Sequence, residues 1–363
     1  MQSCFFETPL GPTQSRLRAR EIVGHPDFVV SKQFQQHEFV YDPDPDVKGL
    51  LRQRWHDLRH RYRHLRLWFS GGKDSRIALD SAIENDIYVD EIFVMMYHGL
   101  DGKDPFLTTE VNECGLSYLD SVKHKLKVGR INIVDLHSAH YLPVFQDPDW
   151  IYHVRIYEYT CINTPNIFHR YINPRWGFTD DSDDCADIVG MVFPSIWYCE
   201  KARHWKFTFV DKSFDTVVGD RAVNFAIDFE KPELFQAIVN QYISGCIDKN
   251  FWPGRFQLPV LASQGDHRSL AKLYDFPLHN HQWQFPKLSL GAHFEPGKHS
   301  LWQHNTEGHK VHLNAYLCWY SRPWPSSFQA YVDNTDWAKI DQDRHLGGVA
   351  SQDFCVAHSP ARG

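Results

Sequence analysis

The sequence predicts an α/β fold in which helices cover both faces of a parallel sheet, followed by an irregular, aromatic-rich C-terminal region. Short apolar runs alternate with amphipathic segments between residues 47 and 136, which is the pattern of β–α–β units. A Gly-rich turn joins the first of these runs to the next helix. Aromatic residues make up 15% of the 363-residue chain, and many of them follow residue 226 without clear periodicity.

The regular part of the chain begins at residue 47. Leu50, Leu51 and Trp55 recur at helical spacing within residues 47–63, and arginines and histidines occupy other positions of that helix. The arginines indicate either a solvated helix face or a contact with phosphate or RNA. In chain order, the following segments predict a strand over 65–69, a helix that ends near residue 85, a buried strand over 89–97, a helix over 108–126 and a strand over 131–136.

The flanking regions are less regular. Residues 1–46 show little periodicity and end in alternating Asp and Pro, so they are predicted to form an N-terminal arm and a linker. After residue 140 the pattern predicts a strand over 150–160, a loop over 174–187, a short buried strand over 188–193 and a helix over 232–246. The resulting division is an arm (1–46), an α/β domain (47–225) and an aromatic and His-rich C-terminal region (226–363).

Composition argues against several classes of protein. The formal net charge is −7, which disfavours binding of nucleic acid by the whole surface. The chain has no run of 18 apolar residues and no basic-then-apolar leader, so neither a membrane span nor a secretory signal is expected. The 8 cysteines form no CxxC pair, which favours a reducing compartment over a disulfide framework or a zinc ribbon. We therefore expect a cytoplasmic protein.

A Gly-rich segment lies between the 65–69 strand and the helix that follows it. It reads Ser70, Gly71, Gly72, Lys73, Asp74 and Ser75. Two consecutive glycines allow a turn with positive φ that points backbone N–H groups at one place, and the helix N-terminus adds partial positive charge. Such a loop favours an anion such as pyrophosphate, with the two hydroxyls and Lys73 as further donors. Asp74 falls in the first helical turn, where it can cap the helix or position a metal-bound water.

These six residues resemble the PP-loop motif, SGGxDS, of the ATP pyrophosphatase superfamily (adenine nucleotide α-hydrolase-like proteins), and the match is complete. They lack the spacing of a Walker A loop. The resemblance covers roughly residues 64–205 and is closest to the phosphoadenosine phosphosulfate reductase branch. It implies a HUP or Rossmann-like sheet within residues 47–225, which would form a PP-loop nucleotide-binding domain.

Two further segments are similar to that branch in part. Residues 98–110 are similar to a loop of those reductases, although the order of residues is loosened. Residues 189–195, which include Gly190, look like the strand that leads to a substrate loop with Ser and Arg. Arg203 is the candidate for that arginine.

The resemblance implies that the chain binds ATP or a related adenine nucleotide together with Mg²⁺. Residues 70–75 would hold the phosphates, and the adenine would lie near Met95, Met96 and Tyr97. Gly190 would belong to the same site. The implied reaction is attack by an acceptor oxygen on the α-phosphorus, which releases pyrophosphate and leaves an adenylated acceptor. Lys73 and Asp74 are the implied catalytic residues. The resemblance does not identify the small-molecule acceptor.

One short segment matches a motif of these reductases in residue type but lies at a different position in the chain. Glu113-Cys114-Gly115-Leu116 repeats the nucleophile motif of phosphoadenosine phosphosulfate reductases, but in that family the motif lies on a C-terminal tail. Here it falls inside the predicted 108–126 helix. We therefore interpret Cys114 as a small buried helix residue and do not favour a true sulfonucleotide reductase.

Two other clusters of polar residues are explained without a metal site. The histidines between His267 and His312 could include metal ligands, but the sequence places no third ligand, and hydrogen-bonding or interface roles are preferred. The acidic run at 180–184 lacks the spacing of a calcium loop and predicts a solvated loop. No metal site is assigned to protein ligands.

Three functions therefore fit the sequence. The first is an adenylyl-transferring enzyme of the PP-loop type. The second is a structural or interaction protein that retains this domain as a scaffold and contacts a partner, or a second copy, through its aromatic C-terminal region; a phage origin is compatible with it. The third is an RNA-modifying PP-loop enzyme that grips phosphates with the arginine-rich helix 47–63, against which the acidic net charge argues.

Overall fold

A computed structural model of the chain defines its architecture. It describes residues 4–23, 27–97, 111, 115–136, 140, 143, 147, 153, 165–180, 184–190, 194–209, 221–248, 250, 252 and 352–361. The strands, in chain order, are β1 (Cys4–Phe6), β2 (Phe28–Val30), β3 (Phe39–Val40), β4 (His64–Trp68), β5 (Tyr88–Tyr97), β6 (Lys127–Leu136), β7 (Cys185–Val189), β8 (Ser195–Cys199), β9 (His204–Thr208), β10 (Ala222–Asn224) and β11 (Phe354–Ala357).

The helices alternate with the strands over much of the described chain. They are α1 (Arg16–Val23), α2 (Lys32–Gln36), α3 (Val47–Arg61), α4 (Lys73–Glu84), α5 (Ser117–Val122), α6 (Pro165–Ile167), α7 (Asn173–Trp176) and α8 (Glu233–Asp248). A 3₁₀ turn (Lys123–Lys125) extends α5, and a π-helical turn (Phe168–Ile172) joins α6 to α7. None of the helices in these described ranges is long and apolar enough to cross a membrane.

Five strands form an all-parallel sheet in the order β10–β7–β4–β5–β6. The chain runs from β4 outward to β5 and β6, then returns to the other side of β4 for β7 and β10. The direction of winding therefore reverses between β4 and β7, which makes this the topological switch point of the sheet. The predicted α/β class with a parallel sheet is confirmed.

The two faces of this sheet are covered differently. Leu65 and Leu67 of β4 point to the face where α3, α4 and α8 contribute to one large apolar core. Trp68 points to the other face and contacts Phe93 and Phe168, with ring centroids 4.7 and 5.5 Å away. Phe168 belongs to the helical segment 165–176, so this segment covers the second face. Helices thus lie on both faces, as expected for a parallel sheet.

The second sheet joins distant parts of the chain. Its order is β3–β11–β9–β8, with β11 parallel to β3 and antiparallel to β9. Phe354 of β11 stacks on Phe207 at a centroid distance of 5.0 Å, and both side chains are buried. The last described residues therefore form an interior strand of this sheet, and this part of the C-terminal region packs with the rest of the molecule.

The N-terminal residues differ from the expectation of an arm with little regular structure. Residues 4–40 contain three strands and two helices. Phe34 is fully buried, and its ring lies 5.1–5.6 Å from those of Phe229, Phe235 and Phe354. The segment is therefore part of the core. Its sequence shows no long periodic run because its elements are short and are stabilised by residues far away in the chain, such as Phe235 and Phe354.

Most predicted elements of the α/β region agree with the structure within a few residues. The clearest exception is β7, which begins at Cys185, inside the segment 174–187 that was predicted to be a loop. Asp187 lies in the middle of β7. Aspartate is depleted in strands, so the sequence around it predicts a loop. The described part of the predicted 108–126 helix is helical from residue 115 to 125. The predicted strand at 150–160 lies outside the described residues except for residue 153.

Candidate active site

The Gly-rich segment 70–75 lies at the carboxyl end of β4, beside the switch point. It leads directly into α4, whose N-cap residue is Gly72 and whose first residue is Lys73. In open parallel sheets this is the crevice where ligands bind, because loops that leave neighbouring strands in opposite directions open a gap there. The topology therefore places the segment at the sheet edge where open parallel sheets bind ligands.

The loop has a defined conformation. Gly71 is buried and adopts φ +83°, whereas Gly72 has an extended φ of −69°. The expectation of positive φ thus holds for the first of the two glycines. Gly72 N–H donates to Ser70 Oγ over 3.2 Å, and Ser75 Oγ donates to the carbonyl of Gly72 over 3.0 Å. The two serine hydroxyls, 3.3 Å apart, consequently brace the turn from inside.

Two other glycines pack directly against this loop. A Cβ atom built on Gly190, the residue after β7, would lie 2.7 Å from the Ser75 nitrogen and 2.8 Å from the Asp74 carbonyl carbon. A Cβ on Gly115 would lie 3.0 Å from the Ser70 oxygen and 3.3 Å from the Gly71 nitrogen. Since these atoms belong to the backbone, they cannot move aside cheaply. Gly190 therefore needs to be glycine for the loop to keep its place, whereas a methyl group at Gly115 would make the loop give by a few tenths of an ångström.

The segment that carries Gly115 is held beside α4 by side-chain contacts. The Arg76 guanidinium lies 3.7 Å from the centroid of the Tyr118 ring, a cation–π arrangement. The Tyr118 hydroxyl donates to the Asp80 carboxylate. Burial and this carboxylate raise the pKa of Tyr118 to about 12, so the phenol stays protonated and keeps donating. These contacts fix α5 against α4 near the loop.

The remaining predicted site residues lie on α4 and on β5. Asp74 is half-buried in the first turn of α4, and the Lys73 side chain lies outside the described residues. Met96 is half-buried and packs against the core; for Tyr97 only the backbone is described. The pairing of β5 with β4 ends at Phe93, while β5 continues for four residues beyond it. The end of β5 thus overhangs β4 next to the loop.

This arrangement suits a phosphate group better than a metal ion alone. The turn at Gly71 and the N-terminus of a 12-residue helix direct positive backbone dipoles to one place, which favours an anion. The described residues include no cluster of three or more His, Cys, Asp or Glu that could hold a metal. Magnesium would fit such a site because it retains water and phosphate oxygens and needs only one or two carboxylates, of which Asp74 could supply one.

A second polar cluster lies buried on the other face of the sheet, and sequence reasoning missed it. We call it the charged row: Asp187 on β7, Arg66 on β4 and Glu91 on β5, which are direct neighbours across the sheet. All three side chains are completely buried. Arg66 Nε donates to Glu91 over 2.6 Å, and its Nη1 donates to Asp187 over 2.9 Å. The signal was present in the sequence as single charged residues inside apolar strands.

The charged row is completed by groups from outside the strands. His169 Nε2 lies 2.8 Å from Asp187 Oδ2, and Trp68 Nε1 donates to Asp187 Oδ1 over 2.8 Å. Burial alone would raise the pKa of Asp187, but His169, Arg66 and Trp68 outweigh it and lower the pKa below its usual value. Asp187 is therefore an anion at neutral pH. His169 belongs to the π-helical turn, so the row also attaches segment 165–176 to the sheet.

Two of the arginines that were considered as phosphate contacts are used inside the fold. Arg54 of α3 is buried and pairs with Asp228; it also donates to the carbonyls of Asn224 and Phe225 over 2.9 Å. Arg59 donates to Asp90 over 2.6 Å. For these two positions, neither a solvated face nor an RNA contact describes what the side chain does.

Several other candidates do not join the Gly-rich loop or fall outside the described chain. Arg203 is exposed in the turn between β8 and β9, within the second sheet. Asp180 is exposed, whereas Asp184 accepts a hydrogen bond from the backbone N–H of Arg63. Cys114, residues 98–110 and the histidines from 267 to 312 lie outside the described residues.

Comparisons with known proteins assign no family to this arrangement. No family model, no curated protein and no solved structure matches the chain.

Proposed function

We propose that the chain binds an adenine nucleotide at the carboxyl edge of its parallel sheet and cleaves ATP between the α- and β-phosphates to adenylate an acceptor. The observation that carries this proposal is the position of the complete SGGxDS segment at the switch point, with Gly190 packed against its helix. A sequence motif, a strand order and a close backbone contact independently favour the same place.

The chemistry follows from the groups around the loop. Backbone N–H groups of residues 73–75, at the N-terminus of α4, would neutralise the pyrophosphate that leaves. Lys73 would add charge, and Asp74 would orient Mg²⁺ that the phosphate oxygens also hold. An acceptor oxygen then attacks the α-phosphorus in line while the bond to the β-phosphate breaks. Positioning and charge neutralisation therefore account for the rate, and no covalent intermediate with the protein is needed.

The adenine has a natural place beside the phosphates. β5 continues from Phe93 to Tyr97 past the end of β4, so its backbone edge lies next to the loop. A flat heterocycle can pair with such an edge through backbone groups. Met96 belongs to this part of β5, so we expect its side chain to pack on the heterocycle. This part of the proposal makes residues 94–97 the base-recognition segment.

Calorimetric titration with ATP and Mg²⁺ tests nucleotide binding. Gly71→Val should abolish binding, because φ +83° is strained for valine and the side chain enters the turn. Lys73→Ala should weaken binding at least about tenfold, the effect of losing a charged phosphate contact of about 1.4 kcal/mol or more. The Lys73→Ala variant tests the site separately if the Gly71→Val protein fails to fold. The matched control is Gly177→Asn, a left-handed position with open space around it.

Turnover is tested separately, by pyrophosphate release from ATP in the presence of candidate acceptors. The proposal expects release that depends on an acceptor and is lost in Lys73→Ala. ATP binding without release for any acceptor class would favour a retained scaffold. Unchanged ATP affinity in both Gly71→Val and Lys73→Ala would remove the site assignment altogether.

A further inference from the structure

Two free cysteines and a histidine share the outward face of the second sheet, apart from the nucleotide site. Cys199 ends β8 and lies directly opposite His204, the first residue of β9. Cys355 of β11 lies opposite Lys206 of β9, two positions from His204. Cys355 is exposed, and Cys199 is half-buried. The imidazole thus stands between two thiols, each on a neighbouring strand.

The hydrogen bonds of His204 define its protonation pattern. Its Nδ1 lies 2.9 Å from the carbonyl oxygen of Ala202, and its Nε2 lies 3.2 Å from Cys355 Sγ. A carbonyl oxygen can only accept, so Nδ1 must carry the proton. In the neutral ring Nε2 is then the acceptor, and the thiol of Cys355 donates to it. This is the order of groups in an activated nucleophile: thiol, base, and a third group that orients the base.

The turn between β8 and β9 holds this geometry. Arg203 adopts φ +56°, and its N–H donates to the Cys199 carbonyl over 2.7 Å. This tight closure places the carbonyl of Ala202 against the imidazole two residues later. Lys206 lies on the same face, directly opposite Cys355.

We propose that Cys355 is a nucleophilic thiol, with His204 as its base, and that it exchanges with small-molecule disulfides. The S–H proton passes to His204 Nε2, and the sulfur attacks one sulfur of the disulfide. The S–S bond breaks, and the departing thiolate takes the proton from the imidazolium. The products are a mixed disulfide at Cys355 and one free thiol, so no further oxidant is consumed.

The mixed disulfide should persist because no thiol whose side chain the structure describes is within reach of Cys355. Cys199 is two strands away from Cys355, a Cα separation of at least about 9.6 Å at the usual strand spacing, and a disulfide needs Cα atoms closer than about 7 Å. Cys185 and Cys246 are buried. Burial raises the pKa of Cys185 to about 12, which keeps that thiol protonated and inert. Among the described thiols, Cys355 therefore has no disulfide partner within reach and is a modification site.

The test uses the full chain with oxidised glutathione, followed by acid quenching and peptide mass spectrometry. Cys355 should form the mixed disulfide at least about tenfold faster than Cys199, because Cys355 is exposed and donates to an imidazole base. His204→Gln should slow Cys355 about tenfold or more and leave Cys199 unchanged. His60→Gln, an exposed histidine on α3, is the control and should change neither rate.

The comparison of Cys355 with Cys199 in the native protein needs no variant. Equal rates at Cys355 and Cys199, or an unchanged Cys355 rate in a folded His204→Gln protein, would each overturn the proposal.

Discussion

Arg66 lies between two carboxylates in the middle of the parallel sheet, completely buried. Taking three charges out of water costs several kcal/mol per ion, and only well-formed hydrogen bonds repay that cost. Here Asp187 is also contacted by His169 and Trp68. The charged row therefore contributes less to net stability than to a single register of β7, β4 and β5. Removal of one member leaves the others buried without full compensation.

We expect Asp187→Asn to lower the free energy of unfolding at pH 7 by about 3–5 kcal/mol, the usual cost of breaking a buried ion pair. The pKa of Asp187 is lowered in the folded state. Its stabilisation is therefore complete above the unfolded pKa of about 3.9 and is lost as pH falls through the lower folded value. The gap between native protein and variant should stay constant from pH 7 to 5 and narrow below about pH 4.

Denaturant unfolding at several pH values measures this gap. Asp120→Asn is the control, because that carboxylate is exposed and pairs with Lys123 on the surface; its unfolding midpoint should match that of the native protein. A difference in unfolding free energy that widens on acidification would contradict the assignment of Asp187 as an ion-paired carboxylate with a lowered pKa.

Arg54 allows a test of whether helix α3 grips nucleic acid. Because its guanidinium is buried against Asp228, we expect Arg54→Ala to cost about 3–5 kcal/mol of stability without changing affinity for RNA. Arg52→Ala, an exposed neighbour on the same helix, should leave stability unchanged. Melting curves and filter binding to a single-stranded RNA separate the two effects. A loss of RNA affinity in Arg52→Ala with an unchanged fold would revive the RNA-modifying alternative.

At the scale of elements, the Gly-rich loop is held by contacts from two other segments. Gly190 follows β7, and Gly115 precedes α5. Both approach the loop so closely that a methyl group would meet its backbone. Gly190 was expected in the nucleotide site from a family resemblance alone. Gly115 was hidden within a predicted helix, because a close approach between segments leaves no periodic trace in the sequence.

We expect Gly190→Ala to cost about 1–3 kcal/mol of stability, as for an overpacked core, and to weaken ATP binding. Gly115→Ala, where the contacts are longer, should cost less stability but also displace Gly71 and reduce ATP affinity severalfold. Thermal melting and calorimetry report the two effects. Gly177→Asn is the control, since this left-handed position has open space around it. Native ATP affinity in both loop-contact variants would show that the loop does not form the site.

Across the whole molecule, both ends of the described chain enter one aromatic core. Phe34 and Phe39 from the N-terminal segment contact Phe354 from β11, with centroids 5.5 and 5.9 Å away. Phe39 also contacts Phe207 of β9 at 4.9 Å. The predicted division into an arm, a nucleotide-binding domain and a C-terminal region therefore does not correspond to separate cores in the described chain. The α/β region and its flanks share buried surface.

We expect the fragment 47–225, the predicted nucleotide-binding domain alone, to be insoluble or aggregated. It lacks α8, β3 and β11, so the apolar face of α3 and the inner face of β9 would be exposed to water. A fragment that ends at residue 351 should aggregate as well, because it loses an interior strand. Size-exclusion chromatography and far-UV circular dichroism measure both. A soluble, monomeric and ATP-binding 47–225 fragment would instead establish an independent domain.

The alternation of apolar runs and helical patterns between residues 47 and 136 was sufficient to predict the α/β class, since each of those elements is long enough to show its own period. The SGGxDS segment could be placed at a strand–helix junction for the same reason. The partners of Phe34, the strand around Asp187 and the contacts of Gly115 and Gly190 were decided by tertiary packing. These features arise from contacts between residues far apart in the chain, and such contacts impose no local period that a sequence pattern could reveal.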